Sequence, residues 1–330
     1  MADRIVCRAL RPPAPPARQR GIAIITALLV VMLAATVASY LLAQQAEALS
    51  RVERATERAQ LGLHATTTLE WARSALVVQQ KNSTYVALSQ PWAQGLVARP
   101  IDTAVATGLL RDAQSKFNIN NLVGADGKRR EPDVDAFSRL LKILKLNPNI
   151  ATAVVDWIDR DDDVSTPGGA ENNYYWSQAG YGAANRPISQ VEELLRVKGI
   201  DETTLRKLSP FVTALPTPNG ERTRININTT SIEMLQALFA DVPAEQLLET
   251  IRVRELPFID AKDIAERRKQ LPAAIVELFL DTKSRYFEAA LAITGQYSQI
   301  RQVALLQLQA GGAGASSIAW PAIIWVKENG

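Results

Sequence analysis

One cysteine, Cys7, and one histidine, His64, are all that 330 residues contain of either type. A lone cysteine excludes an internal disulfide, and Cys7 stands ahead of the apolar segment described below, where reducing cytosol is expected. A single histidine with no cysteine near it excludes a nitrogen-and-sulfur metal centre, so His64, inside a long helical pattern, reads as an ordinary helix residue. Charge of one sign is also scarce. The formal net charge is +3, and Arg4, Arg8, Arg11, Arg18 and Arg20 face only Asp3, which leaves the rest near neutral. No cluster of lysine and arginine marks a phosphate-binding surface, so no nucleic-acid partner is expected from charge. No histidine or cysteine stands beside the paired carboxylates and Ser165 has no base partner, so an enzyme is not expected. With 47% hydrophobic and 22% charged residues, the chain can still bury a sizeable core.

Residues 22–43 lack charge altogether, and about 20 apolar residues are what a helix needs to cross a bilayer. Arg18 and Arg20 precede them, so the positive-inside rule keeps the N-terminus cytoplasmic and sends the bulk of the chain outward. The uncharged run exceeds the apolar core of a secretory signal peptide. Residues 44–80 then contain no proline and one glycine, with Ala46, Leu49, Val52, Ala55, Ala59 and Leu63 at helical spacing. The spacing predicts one continuous rod of roughly 90 Å.

Arg18-Gln19-Arg20-Gly21 followed by Ile22-Ala23-Ile24-Ile25-Thr26 resembles the leader of type IV pilins and pseudopilins. The resemblance implies cleavage by a prepilin peptidase after Gly21 and a methylated N-terminus at Ile22. In that family the fifth mature residue is a glutamate thought to pair with a neighbouring subunit's terminal amine; here it is Thr26. A buried carboxylate in lipid needs such a partner, and a subunit without it suits a filament's end. The missing glutamate, the length and four further motifs resemble the protein K family of type II secretion minor pseudopilins. These motifs are Phe117-Asn118-Ile119-Asn120-Asn121-Leu122, Asp156-Trp157-Ile158-Asp159, Asn185-Arg186-Pro187-Ile188 with Val191-Glu192-Glu193-Leu194, and Ile225-Asn226-Ile227-Asn228-Thr229. The resemblance implies an inner-membrane protein with its bulk in the periplasm. It also implies assembly with minor pseudopilins I and J at the tip of the pseudopilus, contact with the major pseudopilin, and calcium in a helical domain.

The expected fold is α+β: a long N-terminal helix packed on an antiparallel sheet, with a large inserted all-α domain. The boundaries read as a leader at 1–21, a membrane helix at 22–43, a pseudopilin core at 44–116 and 285–330, and an insertion at 117–284. Residues 286–293 alternate in strand fashion, 300–308 and 318–326 follow, and 311–317 form a soft loop, so three antiparallel strands close the chain. Within the insertion, helices are expected at 134–146, 151–158, 189–197, 202–208, 231–238 and 261–270. Ile119-Asn120-Asn121-Leu122 and Ile227-Asn228-Thr229-Thr230 are loosely similar to each other and read as helix caps. The segment at 225–229 with short helices after it also resembles helix-hairpin-helix modules, which makes a membrane-anchored DNA-uptake protein the alternative. Against that, the hairpin at 197–201 has one glycine beside Asp201, and the one near Asp241-Val242-Pro243 has none.

Asp156, Asp159, Asp161, Asp162 and Asp163 crowd into eight positions, with Glu171, Asn172 and Asn173 beyond a Pro167-Gly168-Gly169 turn. Such density repels; it reads either as a solvated acidic loop or as one that a hard cation neutralises. Asp159, Asp161 and Asp163 alternate as oxygen donors do in calcium loops, and Trp157 and Ile158 anchor the loop. Structural calcium is therefore expected on Asp159, Asp161, Asp163 and Glu171, with Asp156 and Asn172 as further ligands. The pattern departs from an EF-hand, since Val164 occupies the place of the turn glycine.

Overall fold

The computed structural model describes residues 19–309 and 319–329. Residues 1–18, with Cys7 and most of the expected leader, and the expected loop at 311–317 lie outside the described residues. The chain divides into two compact units after Ala59. In the first, helix α1 (Gln19–Asn82) begins and continues for 64 residues without a break. Every described side chain from 22 to 56 is exposed, Leu28, Leu33, Leu42, Leu49 and Val52 among them. Such a surface is costly in water, and α1 is long and apolar enough to cross a membrane. The hydroxyl of Thr26 lies 3.1 Å from the carbonyl oxygen of Ile22 and 3.0 Å from that of Ala23, bonded back onto its own helix.

In the second unit the same helix turns amphipathic. Leu61, Ala65, Leu69, Ala72 and Leu76 recur every three or four residues and are all buried. They pack on an antiparallel sheet of strands β1 (Leu96–Ile101) and β2 (Ala104–Asp112), joined much later in the chain by three more. At Gly108 on β2 a Cβ would meet Leu291 Cδ2 at 3.0 Å and Trp71 Cζ3 at 3.2 Å, so the helix approaches over a residue that has none.

The chain then leaves the sheet. Strand β3 (Phe117–Asn118) leads into α2 (Glu131–Ile143), α3 (Ile150–Ile158), α4 (Asn172–Ala179) and α5 (Glu202–Leu208), followed by β4 (Val212–Thr213). Strand β5 (Ile225–Asn226) leads into α6 (Ile232–Leu238), α7 (Ala244–Val253), α8 (Ala261–Arg267) and α9 (Ala273–Phe279), followed by β6 (Leu280–Asp281). The chain returns as β7 (Tyr286–Thr294), β8 (Gln299–Gln307) and β9 (Ala322–Asn329), an antiparallel meander in a sheet ordered β1-β2-β7-β8-β9. Since β2 pairs with β7, with Asp112 opposite Phe287, the helical excursion leaves and re-enters at neighbouring strands. It has a core of its own, running from Phe117 to Leu280 and separate from that of helix and sheet.

The excursion contains one pattern twice. β3 pairs in parallel with β4, and β5 with β6. Two residues after each strand begins its Asn-Ile-Asn run, an asparagine grips a distant main chain with both ends of its amide. Asn120 donates to Ile188 O and accepts from Ile188 N, each at 2.9 Å, and Asn228 does the same with Phe258, again at 2.9 Å. Each gripped residue follows a proline, and four residues beyond the next amide a carboxylate accepts from it: Glu193 from Ser189 N and Asp263 from Ile259 N. The expected capping role belongs instead to Ser231, whose hydroxyl accepts from Met234 N, and to Asn118, which caps a short 3-10 turn. The grips span 68 residues in the first copy and 30 in the second, so the first carries the additional length. The expected helix at 189–197 is a 3-10 helix, Val191–Arg196. Strands β1 and β2, helices α4, α7 and α9 and the two parallel pairs were not anticipated from sequence.

Asp112 fastens this excursion to the sheet. It is 3% exposed and accepts from Ser284 Oγ at 2.6 Å, Thr229 Oγ1 at 2.6 Å, Asn226 Nδ2 at 2.9 Å and Gln114 N at 2.8 Å. Burial raises its pKa while these hydrogen bonds oppose the rise. Asp112→Ala removes the acceptor that these four donors share, and should cost about 3 kcal/mol or more. The readout is a lowered thermal midpoint in detergent, whereas exposed Lys262→Ala should leave the midpoint unchanged.

Candidate metal centre

All nine residues of α3 are buried, Asp156 and Trp157 included, and the helix ends on the extended residue Asp159. Three positions apart at a helix terminus, Asp156 and Asp159 share one side of it. The loop that follows is held from several directions. Ser165 N lies 3.1 and 3.3 Å from the two carboxylate oxygens of Asp156. At Gly169 a Cβ would stand 2.1 Å from Asp156 Oδ2, so only glycine lets the loop pass. Lys198 donates through Nζ to Gly169 O at 3.0 Å and lies 4.7 Å over the Tyr174 ring. Glu171 then occupies the N-cap of α4 without making a capping bond. Tyr175 on that helix meets Trp157 edge to face at 4.9 Å, tying α4 to α3.

These contacts bring Asp156, Asp159 and Glu171 together, with one carboxylate oxygen of each within 4.8 Å of the others. They are 0%, 5% and 2% exposed. Asp159 Oδ1 and both carboxylate oxygens of Glu171 are buried without a hydrogen-bond partner among the described residues. Three buried carboxylates, two of them with orphaned oxygens and none ion-paired with a base among the described residues, are electrostatically incomplete. Burial, then the charges of Asp161 and Asp156, push Asp159 up to about 7. Burial, then Asp156 and Asp159, push Glu171 up to about 8, and burial raises Asp156 as well. The donor set is all oxygen and anionic, which fits a hard divalent cation.

Of the expected ligands, the structure gathers Asp159, Glu171 and Asp156. Asp161 and Asp163 are exposed and outside this group; Asp161 Oδ1 accepts from Asp163 N at 3.0 Å. Asn172 is engaged elsewhere, accepting from Ala183 N at 2.9 Å and donating to Asp162. Alternation along the loop pointed to Asp161 and Asp163, whereas the helical spacing of Asp156 and Asp159 was the better signal for this cluster.

The nucleic-acid alternative finds no support. At the 197–201 hairpin Asp201 caps α5, accepting from Thr204 N at 2.7 Å, and Asp260 caps α8 by accepting from Asp263 N at 2.8 Å. Asp201 thus holds the helix terminus that a phosphate would need at that hairpin, while the expected hairpin at Asp241-Val242-Pro243 leads into α7 with Pro243 at its N-cap.

Residues 115–217, the first copy with its acidic loop, match the family model described as Type II secretion system (T2SS), protein K. The chain is 30% identical over 297 residues to type II secretion system protein K of Aeromonas hydrophila, covering 83% of this chain and 88% of that one. The corresponding Pseudomonas aeruginosa protein is 32% identical over 236 residues, covering 69% and 68%. Among solved structures it resembles the GspK-GspI-GspJ complex of enterotoxigenic Escherichia coli, with TM-score 0.66, 25% identity and coverage of 85% of this chain and 99% of that chain. A membrane-length helix running onto an antiparallel sheet, with a helical excursion between adjacent strands, defines a minor pseudopilin. The chain belongs to the type II secretion system protein K family.

Without metal, the folded protein binds more protons than the unfolded chain between the ordinary carboxylate range and pH of about 8, because Asp159 and Glu171 titrate late. Stability of chelator-treated protein should therefore fall as pH rises through that window, read as a lower thermal midpoint at pH 8 than at pH 5. Calcium should raise the midpoint most at the alkaline end. Glu171→Ala should abolish that calcium-induced gain, whereas Asp163→Asn should retain it.

Proposed function

We propose that this minor pseudopilin caps the tip of the type II secretion pseudopilus and helps initiate its assembly for protein secretion. It sits in the bacterial inner membrane as a single-pass protein, N-terminus cytoplasmic and bulk periplasmic. The observation that carries the tip position is Thr26. Where the pseudopilin family places a glutamate for a neighbour's terminal amine, this chain has a hydroxyl bonded back to the carbonyls of Ile22 and Ala23. It offers no negative charge, so a subunit stacked beyond it would bury an uncompensated amine.

The helical excursion at the sheet's β2–β7 junction supports the same position, because a bulky head obstructs addition of a further subunit. Partners resembling minor pseudopilins I and J fit this reading, since the solved relative is a GspK-GspI-GspJ complex. The major pseudopilin would follow below them. The work of such a subunit is binding and assembly rather than catalysis. Calcium at Asp156, Asp159 and Glu171 would be structural, neutralising carboxylates that no base among the described residues pairs and locking α4 onto α3.

Maturation requires a prepilin peptidase to cut between Gly21 and Ile22 and to methylate Ile22. Intact mass of protein purified from membranes should show a chain starting at Ile22 with one added methyl when the peptidase is present, and starting at Met1 when it is deleted. Retention of Met1 in both would remove the filament reading and leave an ordinary membrane anchor.

A further inference from the structure

The two edges of the five-stranded sheet are built differently. Edge strand β1 carries the devices that discourage pairing: a register shift between Leu96 and Arg99, Ala98 at φ +20°, and Pro100, which has no N–H to offer. Edge strand β9 runs for eight residues with no proline. Its Ile323, Ile324 and Val326 are 39%, 38% and 43% exposed, and Trp320 just before it is 44% exposed. The irregularity of β9 against β8 leaves Ile324 without an opposite residue, so two isoleucines stand side by side. Four large apolar side chains within seven residues make a patch, not scattered exposure.

This patch borders α1. Trp320 donates through Nε1 to Glu70 Oε2 at 3.1 Å, Arg73 donates through Nε to Pro321 O at 2.8 Å, and the Arg73 guanidinium lies 5.3 Å over the Trp320 ring. One heptad before Glu70, on the same stripe of the helix, Leu63 is 70% exposed.

We propose that Trp320, Ile323, Ile324 and Val326, with the Leu63 stripe of α1 beside them, dock a pilin-like partner subunit whose own N-terminal helix runs alongside α1. The inference rests on the assembly reading above and names the face that assembly uses. A strip shared by a helix and a sheet edge fits an occupant that is itself a helix on a sheet. A second copy of this chain pairing antiparallel along β9 would direct its α1 the opposite way, which a shared membrane forbids. The solved relative, which resembles 85% of this chain, is in complex with two other subunits.

The test co-expresses the full-length chain with the two minor pseudopilins I and J of its own system, followed by purification in detergent. Ile324→Asp with Val326→Asp should lower recovery of the partners by roughly tenfold or more. Val97→Asp on β1, at a side chain 82% exposed, should leave recovery unchanged. Neither substitution should move the thermal midpoint of the chain alone; if the double variant does, Trp320→Glu takes its place with the same expected loss. Unchanged recovery from the β9 variants, or an equal loss from Val97→Asp, overturns the proposed surface while leaving the assembly reading in place. A wild-type chain that recovers neither partner overturns the assembly reading and the surface with it. A wild-type homodimer dissolved by the β9 substitutions, with partner recovery intact, assigns the patch to a second copy and likewise overturns the proposal.

Discussion

A buried carboxylate, ion-paired with no base among the described residues, joins the helical excursion to its sheet. Asp112 ends the sheet strand from which the helical excursion departs, Ser284 precedes the strand on which it returns, and Asn226 and Thr229 open its second half. Burying such a group is unfavourable unless every lone pair is satisfied, and here hydroxyls, an amide side chain and a backbone N–H satisfy it. Asn226 extends the junction by donating to Val86 O, beyond the end of α1, at 3.0 Å. One polar knot therefore sets where the excursion stands on its sheet.

The excursion follows the same principle at its own scale. Two asparagines, Asn120 and Asn228, each replace a missing stretch of sheet by gripping both backbone groups of a residue that follows a proline. Buried amides of this kind are stabilising because both ends are used. The acidic trio lies in the extra length of the first copy, and the second copy reaches its own grip without any equivalent. The arrangement reads as a duplicated unit into which one copy has taken an acidic loop. In that loop the chain leaves Asp159 Oδ1 and both Glu171 carboxylate oxygens buried without a hydrogen-bond partner among the described residues.

The sequence made some of this legible. The uncharged run at 22–43 and the alternation at 286–293 are strong local signals, and both elements formed as expected. Strand β2 escaped notice because its buried positions before Asp112 are Ala104, Ala106, Gly108 and Leu110, so a helix lies close over small residues with little hydropathy contrast. The asparagine grips were misread as caps because their partners lie far along the chain, where no local pattern points. Asp156 and Asp159 were visible, but only the path of the loop through Gly169 and the docking of α4 bring Glu171 to them. Local periodicity identified elements; the polar contacts that position them are long-range, and composition does not disclose them.

On the proposed reading, a bulky head joined to a helix that offers Thr26 in place of a carboxylate belongs at one end of an assembly. Gold labelling of an epitope on the exposed face of α7, imaged on assembled pseudopili by electron microscopy, reads this position directly. Label confined to one end of each filament is the expected result. Label spaced along the filament length would contradict it and make this chain a repeating subunit.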